Sequence, residues 1–465
     1  MAPRSLWLRE ALAAEDEGAF PALSEAARAD VCIVGGGYTG LWTALRLKEL
    51  EPDVSVVLVE ADVCGGGPSG RNGGFALSWW PKIETLLKRV GEEEAFRLVR
   101  ASADAVTELG RFCEREGIDA HFRPSGWLWT ATSPAQLGSW EGAVAAAERA
   151  GERPFELLSA EETQRRAGSP VHLGAAFEAN AATVQPALLA RGLRRVAAAR
   201  GVRIHERSPL VELDREQGVV RTPGGSVKAG AVVLATGSWL AGIPELRPAV
   251  VAVSSDLVAT APIPELLEKT GWTGGEAISN SRLMVHYYRT TRDGRIAFGQ
   301  GGHRHVFGGR VDDGFFGETP PATRRTIQDD LARLVPFARR AEVTDAWGGP
   351  IDRTVDGLPF FGRLPGRVPV VYGVGYSGNG VAPSLTAGKI LASSALGRDD
   401  EWSGCGLSRG VPGRFPPEPA RYLGGFVVRA AVRRKEGRED DGRGVDPLTR
   451  KVAGLAPQGF FRVAR

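Results

Sequence analysis

The chain has 465 residues, more than one ordinary hydrophobic core accommodates, so we predict two domains with enough interior to enclose a large bound molecule. Its 58 Lys and Arg residues nearly balance 55 Asp and Glu residues, and the net charge of +3 disfavours nucleic acid or an anionic membrane as a partner. The four cysteines are far apart and no apolar stretch approaches about 18 residues, which predicts a cytoplasmic protein with reduced thiols, no metal site and no membrane span.

The first predicted unit is a strand, a glycine turn and a helix. Residues 30–34 form a short apolar run, a Gly-rich turn begins at Gly35, and residues 41–50 have the apolar period of a helix. A second buried strand, 54–59, ends at Glu60, which is placed to accept hydrogen bonds from an adenosine ribose. This order predicts a dinucleotide site; a Gly-rich loop without function is the alternative.

The residues of the glycine turn have separate roles. Gly35 permits the tight turn, and Gly37 lets backbone N–H groups approach a pyrophosphate. Gly40 lets the helix pack closely on the strand. Tyr38 and Thr39, which lie between the last two glycines, are further candidate contacts.

A second Gly-rich segment follows where a nicotinamide dehydrogenase usually continues with more strand and helix units. It runs from Asp62 to Phe75 and contains too much glycine for a helix or a strand. An acid at the second strand followed by Ser-Gly-Arg-Asn-Gly-Gly resembles the D-amino-acid-oxidase (DAO) superfamily of FAD-dependent flavoproteins. The resemblance implies FAD as cofactor, whereas a flexible surface loop is the alternative. The residues implied to contact the pyrophosphate, ribityl chain and flavin are Ser69, Arg71, Asn72, Gly73 and Gly74.

Two later segments also resemble parts of the FAD domain. The apolar run 231–235 ends in Thr236-Gly237, which resembles the second FAD signature, and Val211 matches a position whose backbone usually meets adenine. Near the C-terminus, the strand pattern 369–374 leads into a Gly-rich loop and a helix, 384–396.

The resemblance implies that this last loop places backbone N–H groups and a helix N-terminus beside the flavin pyrimidine, where negative charge builds up on reduction. Asn379 stands where the family more often has His. The candidate contacts are Gly375, Gly378, Asn379, Gly380 and Val381.

The predicted fold class is α/β, with an FAD-binding Rossmann-like domain of the glutathione-reductase type and an α+β substrate domain built on a mixed or antiparallel sheet. The predicted boundaries are 1–24 for an N-terminal extension, 25–85, 185–245 and 345–397 for a discontinuous FAD-binding domain, 86–184 and 246–344 for the substrate domain, and 398–465 for a C-terminal extension. In that extension, the apolar stretch Phe426 to Val432 predicts a short helix that packs back on the FAD domain.

The substrate side departs from the amino-acid oxidases of the superfamily. Ile351 stands where those enzymes have an Arg that pairs with the substrate carboxylate, which makes simple α-amino acids less expected. The pattern around Asp352 and Thr354 is more similar to the γ-glutamylputrescine oxidoreductase branch, which acts on amines. Residues 78–82 and 415–419 are also similar to proteins named aminophosphonate oxidoreductases.

The candidate catalytic residues each have a structural alternative. Trp79, Trp80, Tyr287 and Tyr288 are candidate aromatic walls for an amine, and for each of them a plain core position is the alternative. His286 is a candidate for substrate binding or deprotonation, and Lys82 for a positive charge beside the flavin that favours O₂. Asp352 either holds an ammonium group or caps the following turn.

The implied reaction is hydride transfer from the carbon beside a neutral amine to the flavin, followed by hydrolysis of the imine to a carbonyl compound. The expected partners are therefore a small-molecule amine and O₂ or another electron acceptor. Two alternatives stay open. One is an amino-acid or N-methyl-amino-acid oxidase that uses another arginine, such as Arg289, and the other is a non-catalytic FAD-binding subunit. The sequence does not indicate the oligomeric state.

Overall fold

The computed structural model describes residues 4–15, 18, 20–311 and 317–457. Parts of the predicted terminal extensions (1–3, 16, 17, 19 and 458–465) and of the predicted substrate domain (312–316) lie outside the described residues. The helices are α1 Leu6–Ala13, α2 Tyr38–Leu50, α3 Ile83–Val90, α4 Glu92–Arg115, α5 Glu141–Arg149, α6 Ala160–Ala167, α7 Pro186–Ala199, α8 Pro264–Thr270, α9 Pro321–Leu334, α10 Pro383–Ala395, α11 Ala420–Asp440 and α12 Pro447–Ala453. The strands are β1 Ala26–Val34, β2 Val56–Val59, β3 Phe75–Ala76, β4 Trp127–Ala131, β5 Phe155–Leu158, β6 Gly174–Glu178, β7 Ala182–Thr183, β8 Arg203–His205, β9 Glu212–Asp214, β10 Val219–Arg221, β11 Ser226–Leu234, β12 Val251–Thr260, β13 Ala277–Asn280, β14 His286–Thr290, β15 Ile296–His305, β16 Val343–Arg353, β17 Phe360–Leu364 and β18 Val370–Val374.

The first sheet has the order β17-β18-β11-β1-β2-β8, and the β9-β10 hairpin pairs with β11. Strands β18, β11, β1, β2 and β8 are parallel, and β17 joins antiparallel at one edge. The inner strands are continuous apolar runs because both of their faces are buried. Val31 and Ile33 face the core that α2, α7 and α10 cover, whereas Cys32 and Val34 face the opposite core.

The second sheet has the order β16-β12-β15-β14-β13-β4-β6-β5. Its neighbours are antiparallel except for β13 and β4, which are parallel. One face packs on α8 and α9 through residues such as Phe298, Tyr288 and Ile327. The predicted α/β class with a mixed second sheet is therefore confirmed.

Strand β16 belongs to the second sheet, although the sequence predicts that most of its residues belong to the FAD-binding domain. Residues 345–397 are predicted to belong to the FAD-binding domain, but residues 345–353 pair with β12 in the second sheet. The chain enters the first sheet only at β17. As a result, the strand that contains Ile351 and Asp352 brings the two sheets together.

The two terminal extensions pack on different parts of the molecule. Helix α1 packs on a small core that includes Trp347 and Leu257. Helix α11 packs on the second sheet instead, where the buried Glu436 accepts hydrogen bonds from the N–H groups of Leu283 and Met284 and pairs with Arg282. The prediction that the helix containing Phe426 to Val432 packs on the FAD domain is wrong, because its acid and apolar residues meet the β13–β14 loop. Among the described residues, no helix combines the length and apolar character needed to cross a membrane.

Candidate cofactor and substrate site

A cavity of about 780 Å³ is lined by strands and loops of both sheets. Its size is within the ordinary range for sites that enclose a cofactor or a small ligand. Of the residues predicted from the sequence, it is lined by Gly35, Gly37, Tyr38, Thr39, Glu60, Ser69, Arg71, Asn72, Gly73, Thr236, Gly237, Asp352, Gly378, Gly380 and Val381. The structure thus brings together three segments that are far apart in the chain.

The glycine turn lies where β1 meets α2. Gly35 has a φ of +111°, and a Cβ atom on Gly40 would lie 1.9 Å from the carbonyl oxygen of Gly35. Glu60 accepts a hydrogen bond of 2.6 Å from the N–H of Gly36, and burial raises the pKa of its carboxyl group. The N–H of Gly37 has no hydrogen-bond partner within the described residues and lies at the positive end of α2, so this end of the cavity suits an anion.

In the segment from Asp62 to Phe75, here called the first loop, several backbone carbonyl groups are bound by side chains from other parts of the chain. The carbonyl groups of residues 70–73 each accept a hydrogen bond from a side chain outside the loop. By contrast, the N–H groups of Gly67, Asn72 and Gly73 have no acceptor in the part of the chain that the structure describes, and these residues line the cavity. The loop is therefore an array of donors for a ligand with phosphate or heterocyclic acceptor atoms.

Arg71 and Gly74 fix the course of the first loop. Arg71 is buried and donates to the carbonyl groups of Gly66 and Gly348, so it connects the loop with β16. Gly74 has a φ of +76° and lies against the carbonyl oxygen of Val184, which leaves no room for a side chain. Gly74 lies behind the cavity wall, so its part is to shape the loop.

Residues 375–381, here called the second loop, connect β18 to α10. Asp352 accepts a hydrogen bond of 2.6 Å from the N–H of Gly375, and burial raises the pKa of Asp352 to about 6. The N–H groups of Gly378 and Gly380 have no acceptor among the described residues, and both residues line the cavity just before the N-terminus of α10. Asp352 thus has the geometry of a loop cap, one of its two predicted roles.

Asn379 lies behind the second loop rather than in the cavity wall. Its amide donates a hydrogen bond of 2.9 Å to the carbonyl group of Ser78. This bond ties the second loop to the segment that follows the first loop, in the position where the family more often has His.

The cavity wall contains Leu210 in place of its predicted neighbour Val211. Val211 is 61% exposed and lies outside the cavity wall, whereas its neighbour Leu210 lines it. A shift of one residue in an extended segment turns a side chain to the opposite side. Ser238, which the sequence reasoning missed, also lines the cavity; its buried hydroxyl has no hydrogen-bond partner within the described residues. Its position directly after Thr236-Gly237 is the signal that could have found it.

Trp79, Trp80 and Lys82 follow the first loop but do not line the cavity. The two Trp side chains are buried in the core beneath the first sheet, which is the structural alternative considered for them. Burial and the nearby Arg353 lower the pKa of Lys82 to about 7. Arg353 itself lines the cavity.

His286 and Tyr288 lie on the face of β14 that turns away from the cavity. His286 is bound to Asp330 at 3.0 Å, and burial lowers the pKa of its imidazole to about 4. The hydroxyl of Tyr288 lies 2.6 Å from the imidazole of His172. Both side chains are therefore enclosed in the core between the second sheet and its helices.

The residue between them, Tyr287, faces the cavity instead. Its hydroxyl lies 2.7 Å from the hydroxyl of Ser255, and both residues line the cavity together with Ser279 and Ile351. The described wall of the substrate half thus combines neutral hydroxyl groups and an aliphatic side chain with Arg353, which follows Ile351 by two residues on β16. Arg289 is not part of this wall; it donates to backbone carbonyl groups and lines a separate cavity of about 470 Å³.

Comparisons with known proteins agree with this geometry. Residues 30–394 match the family model described as FAD dependent oxidoreductase (DAO). The chain is 30% identical to the γ-glutamylputrescine oxidoreductase of Escherichia coli over 382 residues, which cover 81% of this chain and 86% of that protein. It is 27% identical to the OrdL oxidoreductase of Haemophilus influenzae over 393 residues, which cover 83% and 86% of the two chains. The crystal structure of glycine oxidase from Geobacillus kaustophilus has a TM-score of 0.65 and 21% identity, and the match covers 83% of this chain and all of that one, which shows a common fold.

Proposed function

We propose that this chain, which belongs to the DAO family of FAD-dependent oxidoreductases, oxidises the carbon next to the nitrogen of a small amine. The observation that carries this proposal is Ile351 in the cavity wall, at the position where amino-acid oxidases have a carboxylate-binding Arg. A substrate whose reacting end has no carboxylate fits an aliphatic wall better. The similarity to a γ-glutamylputrescine oxidoreductase supports an amine substrate.

The residues present fit FAD. Unpartnered N–H groups of the glycine turn and of both loops line the cavity, Glu60 lies at the end of β2, and the buried hydroxyl of Ser238 has no partner within the described residues. These groups would hold the pyrophosphate, the ribose and the flavin ring. Bound there, FAD would supply the acceptor for a hydride from the carbon beside the nitrogen, and water would hydrolyse the resulting imine to a carbonyl compound and ammonia or a smaller amine.

The protein's own part in this reaction is to orient a neutral amine. Burial raises the pKa of Tyr287, so its hydroxyl stays protonated and can either donate to or accept from an amine. Ser255 fixes the direction of that hydroxyl. No strong base in the wall is needed, since burial in an apolar site lowers the pKa of an amine and favours its neutral form.

We propose O₂ as the electron acceptor. Arg353 lines the cavity, so positive charge is available on one side. Such charge favours the reduction of O₂.

An amino-acid oxidase is the second candidate. Arg353 follows Ile351 by two residues on the same strand, so the two side chains point to the same face and Arg353 could pair with a carboxylate. In this case an amino acid would be a better substrate than the corresponding amine.

The test is to add candidate substrates to the purified holoprotein without oxygen and to follow the flavin absorbance. We expect polyamines or γ-glutamyl amines to bleach the flavin, and air to restore the colour within seconds to minutes if O₂ is the acceptor. Bleaching by amino acids alone would favour the second candidate. A yellow protein that no amine, amino acid or aminophosphonate bleaches would contradict the proposal and favour a non-catalytic FAD-binding subunit.

A further inference from the structure

We propose that helix α1, together with the residue that caps it, is a clamp that holds the first loop in the form that binds FAD. Ser5 and Trp7 are the positioning residues of this clamp. They lie 65 residues before the groups they bind, in a segment that precedes the region matched by the family model.

The contacts of the clamp are made to the backbone of the loop. Ser5 caps α1 by accepting a hydrogen bond from the N–H of Leu8, and its own hydroxyl donates a hydrogen bond of 2.6 Å to the carbonyl oxygen of Gly70. The indole N–H of Trp7 donates a hydrogen bond of 3.1 Å to the carbonyl oxygen of Asn72. One short helix therefore binds two carbonyl groups of the loop, two residues apart.

Two further donors bind the carbonyl groups on either side of Asn72, and both contact Trp7. The indole N–H of Trp347 donates to the carbonyl oxygen of Arg71 at 2.9 Å, and the guanidinium group of Arg289 donates to that of Gly73 at 2.8 Å. The ring of Trp7 packs edge-on against Trp347, with 5.4 Å between centroids, and lies 5.1 Å from the guanidinium carbon of Arg289. Four successive carbonyl groups are thus bound by donors that support one another.

This arrangement decides which side of the loop backbone faces the cavity. With its carbonyl groups turned outward, the loop directs unpartnered N–H groups of Asn72 and Gly73 to the cavity wall. A Gly-rich segment loses much conformational freedom when it becomes ordered. If the clamp orders the loop beforehand, FAD binds without that loss, and removing the clamp weakens FAD binding.

A purely structural role for α1 is the competing interpretation, since Trp7 is also buried in the core that includes Leu257 and Trp347. The variants Trp7→Phe and Ser5→Ala separate the two roles. Trp7→Phe keeps an aromatic ring but removes the N–H, and Ser5→Ala removes one hydroxyl group. Trp272→Phe is the matched control for the first variant, because Trp272 is equally buried and its indole N–H has no partner among the described residues. Ser159→Ala is the control for the second, because Ser159 caps α6 in the same way, by accepting a hydrogen bond from the N–H of Glu162.

Two measurements on the holoprotein test the proposal: the release of FAD on dilution, followed by its fluorescence, and hydrogen–deuterium exchange of residues 62–75. We expect Trp7→Phe and Ser5→Ala to raise the dissociation constant of FAD about tenfold, which corresponds to one lost hydrogen bond to a buried carbonyl group. We expect faster exchange in residues 62–75 in both variants and an effect below about twofold in both controls.

The proposal is overturned if Trp7→Phe and Ser5→Ala bind FAD as tightly as their controls, or if exchange in residues 62–75 is unchanged. Equal loss of FAD in a variant and its control would assign α1 a structural role only. Neither measurement involves a substrate, so the result is independent of whether the enzyme oxidises amines.

Discussion

The first and second loops border the same cavity but are held in opposite ways. The carbonyl groups of the first loop are bound by neutral side chains and by Arg289, whose pKa burial lowers only to about 10. The second loop is held through an N–H group by Asp352, whose pKa lies at about 6. The bonds that hold residues 70–73 of the first loop therefore do not change across the neutral range, whereas Asp352, which anchors the second loop, changes its charge near pH 6.

The two loops differ most in the room that they leave for a side chain at a glycine position. A Cβ atom on Gly74 would lie 2.1 Å from the carbonyl oxygen of Val184 and 2.8 Å from Arg289, at a φ of +76°. We expect Gly74→Ala to destabilise the protein by about 4 kcal/mol, because both the clash and the strained backbone act on the loop. In the second loop, a Cβ atom on Gly380 would have its nearest neighbour at 3.4 Å, so Gly380→Ala should change stability by less than about 1 kcal/mol. Urea unfolding of the two variants measures the difference, and similar values would show that the first loop yields as easily as the second.

Each loop contains one Asn, and the two side chains differ in the number of hydrogen bonds that they make. Asn72 donates to the carbonyl groups of Pro68 and Ser69 and accepts from the N–H of Gly74, so it links three residues of the first loop. Asn379 donates once, to the carbonyl group of Ser78. We expect Asn72→Ala to cost about 2 kcal/mol in the free energy of unfolding and Asn379→Ala about 1 kcal/mol or less.

Urea unfolding in the presence of excess FAD also tests the Asn pair. Because both substitutions remove the same side chain, a difference reports the number of hydrogen bonds lost. A larger loss for Asn379→Ala would mean that the second loop depends more on its side chain than the first.

The cofactor half of the site was predictable because it follows from short-range backbone patterns. Strand, glycine turn, helix and acid are neighbours in sequence, so Gly35, Gly40 and Glu60 could be placed from spacing alone. Helix α10, Pro383–Ala395, lies within one residue of the predicted 384–396, since an apolar period marks it locally. The DAO family and FAD as cofactor are confirmed by the family match.

The substrate half was less predictable, because pairing between distant strands decides which side chains of a strand point to the cavity. Tyr287 and Tyr288 are neighbours with the same chemistry, yet the pairing of β14 with β15 turns only Tyr287 to the cavity. A one-residue choice of this kind leaves no local signal in a strand that is buried on both faces. The clamp by Ser5 and Trp7 was missed for a related reason, since nothing near these residues indicates a loop 65 positions later.

The smallest expected effect concerns the pH dependence of the second loop. Burial raises the pKa of Asp352 from its usual 3.8 to about 6, so between these values the folded state binds more protons than the unfolded state. The contribution of Asp352 to the stability of the folded protein is fully present below pH 3.8 and is lost as the pH rises through 6. Between pH 5 and pH 7.5, the free energy of unfolding of the wild type should fall by about 1.4 kcal/mol relative to that of Asp352→Asn, because the Asn side chain does not titrate.

Urea unfolding of the wild-type and Asp352→Asn apoproteins at the two pH values measures this difference. The apoprotein is the right form because Asp352 lines the cavity and bound FAD would change its surroundings. Gly74→Ala serves as the control, because it alters the first loop and leaves Asp352 in place, so it should keep the wild-type pH dependence. If Asp352→Asn and wild type lose the same stability between pH 5 and pH 7.5, Asp352 does not titrate in this range, and the two loops do not differ in their response to pH.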